Sequence, residues 1–88
     1  MNNTINIVKE EDVTKWLVRL EPLLELTEPA DDKAEELLEN ARAYVKDCHH
    51  WLDKGNLVLA FESMVHAFAI FETCKELGVF EVKKAIDD

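Results

Sequence analysis

The sequence predicts an all-α protein: an up-and-down antiparallel three-helix bundle, closed by a short C-terminal turn or helix. Three observations predict it. Apolar residues recur at three- and four-residue spacing along most of the chain, the period of a helix that buries one face. There are only two Gly and two Pro, too few turn-formers for a loop-rich or all-β chain. The chain has 88 residues, 48% hydrophobic and 33% charged. That composition folds rather than stays disordered, and the length makes one domain, residues 1–88.

The first helix is expected over about residues 8–26. Its apolar stripe is Val13, Trp16, Leu17, Leu20, Leu23 and Leu24. Glu10, Glu11 and Asp12 occupy its first turns, where carboxylates suit the helix dipole. Pro22 falls opposite the stripe, so the freed carbonyl of Val18 meets water. One bent helix is expected, with a break at Glu21 as the alternative. Thr27 to Asp32 supplies a turn and the acidic start of the second helix.

The second helix is expected over about 31–54. Its stripe runs through Ala34, Leu37, Leu38, Ala41, Tyr44, Val45, Cys48, Trp51 and Leu52. Gly55 ends it in the left-handed conformation, and Asn56 caps the third helix, expected over about 56–77. Gly78 closes that helix in the same way, and Val79 to Ile86 is read as the segment that folds back. The third helix is the most apolar. Leu57, Ala60, Phe61, Met64, Ala67, Phe68 and Phe71 cover one side, and Val58, Val65 and Ala69 widen it. That arc is broader than two neighbouring helices cover. Phe61, Val65 and Phe68 are therefore expected at a partner interface, a homodimer among the candidates, because soluble monomers avoid contiguous apolar patches.

The charge narrows the partners. Ten basic and 19 acidic residues give a net charge of −9. Each third of the chain is net −3, so no basic face is concealed. Nucleic acid and anionic membranes are not expected partners, since both need a positive patch. The start, Met1-Asn2-Asn3-Thr4, does not read as a secretory signal. The tract Met64 to Phe71 is interrupted by His66 and is too short to span a bilayer. Two cysteines make no disulfide framework, so a cytoplasmic location is expected.

From Ala41 to Val82 the residues fall in a register that resembles a known family. Tyr44, Asp47, Trp51, Lys54-Gly55, Ala60, Ala67, Phe71 and Leu77-Gly78 stand in that order, followed by Val79-Phe80-Glu81-Val82. The set is similar to the short archaeal proteins of domain of unknown function 357. His66, Ala69 and Glu72 depart from residues usual there. The resemblance implies a left-handed up-and-down three-helix bundle and no established activity. Related domains joined to nucleotidyltransferase-like domains imply an accessory or partner-binding role. It also singles out a polar set, Tyr44, Asp47, His66 and Glu72.

Candidate chemistry is thin. Cys48, His49, His50, His66 and Cys74 invite a zinc reading, but antiparallel pairing sets Cys48 opposite about Ser63. Cys74 then lies roughly 16 Å further along, too far for one tetrahedral site or a disulfide. Neither metal nor cofactor is expected. Tyr44 and Asp47 lie on adjoining turns, with His66 opposite about Val45, an arrangement that reads as a structural hydrogen-bonded group. Arg42 and His49 have the spacing of the catalytic motif in the helical ribonucleases with higher-eukaryote and prokaryote nucleotide-binding domains. A helical nuclease or nucleotide-binding domain is therefore the alternative to a non-enzymatic interaction module. The acid excess weighs against an RNA substrate.

Overall fold

The computed structural model describes residues 8–83. Three helices, α1 (Glu10–Glu25), α2 (Asp32–Asp53) and α3 (Leu57–Glu76), form the expected bundle. Two three-residue strands, β1 (Thr27–Pro29) and β2 (Phe80–Val82), pair beside it.

Local chemistry sets the boundaries. Asp31 caps α2 by accepting a hydrogen bond from the Ala34 amide at 2.8 Å. Asn56 caps α3 in the same way, accepting from the Leu59 amide at 3.0 Å. Gly55 and Gly78 follow α2 and α3 with φ of 77° and 82°, the left-handed region that a side chain disfavours. Helix α1 runs unbroken through Pro22, which is exposed on the side opposite the buried Leu20 and Leu24. Its last turn is closed by Thr27, whose hydroxyl donates to the Leu23 carbonyl at 2.6 Å.

Packing is uneven. Helices α2 and α3 make the most extensive contact, and α1 lies against both less extensively. Ala41 of α2 and Ala60 and Ala67 of α3 are fully buried; small side chains let two helix backbones approach closely. Val13, Leu17, Leu20 and Leu24 carry α1 onto that hairpin. Trp16, read from the sequence as part of the stripe, is instead 39% exposed.

The C-terminal segment differs from the expected turn or helix. Phe80–Val82 is a strand, antiparallel to β1, with Thr27 opposite Val82, Glu28 opposite Glu81 and Pro29 opposite Phe80. The Ala30 amide donates to the Val79 carbonyl at 2.9 Å, and the Lys83 amide to the Leu26 carbonyl at 2.8 Å. The physical reason is alternation: Phe80 is buried, Glu81 exposed and Val82 half-buried. A helix would scatter those side chains, whereas a strand sends Phe80 inward. The rest of the expected segment, residues 84–86, lies outside the described residues.

Candidate functional site

Among the described residues, an apolar surface lies exposed along α3. Val58, Phe61 and Val65 are 68%, 39% and 44% exposed, with Phe68 half-buried beside them. The Trp16 and Phe68 rings meet edge to face with centroids 5.6 Å apart. An open groove results between α1 and α3, lined by Trp16, Phe61, Met64, Val65, Phe68, Ala69, Glu72, Thr73 and Glu76. The expected interface residues are thus on the surface and on one groove. Sequence reading missed Thr73 and Glu76, which lie beyond the apolar stripe, and Trp16, which lies on the α1 stripe at a core-compatible position.

The polar set from the family register does not form one cluster. Tyr44 and His66 stack, with ring centroids 5.0 Å apart and planes 21° apart. Asp47 is exposed and makes no side-chain hydrogen bond among the described residues. Glu72 lines the α1/α3 groove. The reason is angular: six residues on a helix turn through about 240°, so His66 and Glu72 point in different directions. The hydrogen-bonded group expected around Asp47 is thereby corrected to an aromatic stack. Asp47→Ala should change stability by less than about 0.5 kcal/mol. A loss of more than about 1 kcal/mol in urea unfolding would instead reveal a buried partner for the carboxylate.

Arg42 and His49 do share a groove, formed where α2 meets the end of α1 and lined also by Glu21, Glu25 and Lys46. Carboxylates already occupy them. His49 Nε2 lies 2.9 Å from Glu21, and Arg42 pairs with Glu39 at 3.0 Å. A second Arg42 nitrogen reaches the Leu24 carbonyl at the end of α1 at 3.5 Å. A phosphate approaching Arg42 and His49 would meet Glu21, Glu25 and Glu39, which oppose an anionic substrate.

Cys48 and Cys74 are both free and buried. Among the described residues no group of three His, Cys, Asp or Glu side chains could hold a metal ion. Burial pushes both thiols above the ordinary thiol range, and the Glu21 carboxylate adds to the effect at Cys48. The folded state therefore retains protons that the unfolded state releases. Stability is fully present below about pH 8.5 and falls as pH rises beyond it. A thiol reagent should leave both groups unmodified in native protein at pH 7 and find two after unfolding without reductant. Rapid modification of the native protein would show that the thiols are accessible.

Helix α3 is long and apolar enough by composition to cross a membrane, with a mean hydropathy of 1.5. Here it serves as the central helix: Ala60, Met64, Ala67, Phe71 and Cys74 are buried in the bundle.

A family model described as "Protein of unknown function (DUF357)" matches residues 11–80, from the first turn of α1 to the start of β2. No curated protein matches. The crystal structure of protein AF1782 from Archaeoglobus fulgidus, of the same family model, is similar at a TM-score of 0.75 and 36% identity. The likeness covers 83% of this chain and 91% of that one.

Proposed function

The chain belongs to the DUF357 family, whose function is unknown, and from that premise we propose that it acts by protein association rather than by catalysis. The observation that carries this reading is the open face on which Phe61 and Val65 of α3 adjoin Trp16 of α1. Aromatic and aliphatic side chains left half in water on one continuous face lower their free energy by docking. The accessory role beside a nucleotidyltransferase-like protein, implied by the family resemblance, is of this kind. Two buried, unpaired thiols fit work in the reducing cytoplasm.

A photo-crosslinking residue placed at Val65 tests the reading in cells. It is expected to yield discrete adducts. The same residue at Glu36, exposed on α2, should yield none. Equal labelling at the two positions would count against the α1/α3 face as the binding surface.

A further inference from the structure

We propose that the α1/α3 groove receives an amphipathic helix from another protein, with an apolar face flanked by lysines or arginines. The inference rests on the reading of the chain as an association module, and it names the partner's chemistry.

The groove has the form of a helix seat. Phe61, Val65, Phe68, Glu72 and Glu76 follow one another at spacings of three and four along α3, so they form one stripe. Trp16 stands across from that stripe on α1. A helix laid between two helices meshes its side-chain ridges with theirs, and here it would complete a four-helix bundle.

The charges decide which helix. The stripe is apolar over its first half and acidic over its second, and among the described residues no cation lines the groove. Neither Glu72 nor Glu76 is ion-paired among the described residues. Arg19 and Lys75 are turned onto rings instead: Arg19 lies 5.0 Å from the Trp16 centroid and Lys75 5.9 Å from that of Phe71. A second copy of this chain fits poorly. A two-fold contact matches a patch to itself. With the stripes parallel, Glu72 and Glu76 would face their own copies. With them antiparallel, those carboxylates would settle on Phe61 and Val65. Either arrangement buries carboxylates without a cation, which is costly. A foreign helix with Lys or Arg at the matching end fills the apolar half and pairs the acidic half. The net charge of −9 also draws a cationic partner in.

The test uses the full chain with Trp51→Phe, which leaves Trp16 as sole tryptophan reporter. Two synthetic amphipathic peptides of about five helical turns serve as probes. They share one leucine face; one carries flanking lysines, the other flanking glutamates. The lysine peptide is expected to shift Trp16 emission to the blue and to bind roughly tenfold or more tightly than the glutamate peptide. Val65→Glu should weaken the lysine peptide by roughly tenfold or more, although it adds negative charge. That loss separates docking in the groove from bulk attraction. Glu72→Lys with Glu76→Lys should reverse the preference between peptides. Both positions are exposed, and circular dichroism checks that each variant is folded. Sedimentation of the peptide-free protein at the same concentration separates the two levels of the reading. A dimer dissolved by Val65→Glu would overturn the basic helix as occupant and leave association standing. A monomer whose peptide binding ignores Val65→Glu, or which binds neither peptide, would overturn both.

Discussion

Phe71→Ala is expected to cost about 3–5 kcal/mol, much of the roughly 4–13 kcal/mol that holds a domain of this size together. Phe71 is 2% exposed and stands where α3 meets β2. Its ring is perpendicular to that of Phe68 at 6.5 Å, lies 6.4 Å from Phe80, and carries the Lys75 ammonium at 5.9 Å. Truncation removes the transfer energy of the ring and leaves a hole beside Phe68 and Phe80. The loss should appear as a lower urea midpoint with an unchanged slope. At the upper end of the range the helical signal at 25 °C should fall as well. A cost below about 1.5 kcal/mol would mean that the site collapses around the missing ring.

Phe80→Ala is expected to cost about 3 kcal/mol and to release β2. Phe80 is 3% exposed and is the one fully buried residue that the short strands contribute from the C-terminal side. Once its ring is gone, the pairing with Thr27–Pro29 rests on main-chain bonds between two three-residue strands, too little to persist alone. Hydrogen exchange should then show lost protection at the Ala30 and Lys83 amides, which donate across this pairing. Glu81→Ala, on the exposed side of the same strand, should stay within about 0.5 kcal/mol of the parent. Because the Phe71 and Phe80 rings touch, the double variant should depart from additivity by about 0.5–1.5 kcal/mol. Full additivity together with unchanged exchange would show that β2 stands without its aromatic anchor.

The candidate site was legible in part. Phe61, Val65 and Phe68 could be placed on one side of α3 by wheel position alone, and excess width alone marked that side as unpaired. Trp16 could not be placed there. Its spacing from Val13 and Leu20 is that of a core residue, and only the position of α3 leaves its ring at the edge. Counting back from the Gly55-Asn56 turn puts Tyr44 and His66 near one another, and their rings stack. Asp47 stays exposed and does not join them, because adjacency on a wheel says nothing of whether a short side chain turns inward. Glu72 was grouped by family register, which orders residues along the chain and not around the helix.

The sequence by itself determined the three helices, the caps of α2 and α3, and the order of the elements. These follow from interactions within a few residues: the side chains of Asp31 and Asn56 on nearby amides, the positive φ of Gly55 and Gly78, and the apolar period. It also determined that Cys48 and Cys74 cannot meet, since helical rise fixes their separation once α2 and α3 are antiparallel. Only the tertiary structure decided what happens where elements far apart in sequence compete for the same surface. Phe80 became a strand residue because β1, some fifty positions earlier, offers it free main-chain groups. The groove stayed open because α1 packs on the α2–α3 hairpin through Val13, Leu17, Leu20 and Leu24 and leaves Phe61 and Val65 beyond its reach. How closely one helix settles against a pair depends on the summed shapes of all three, and no local pattern in the chain encodes that sum.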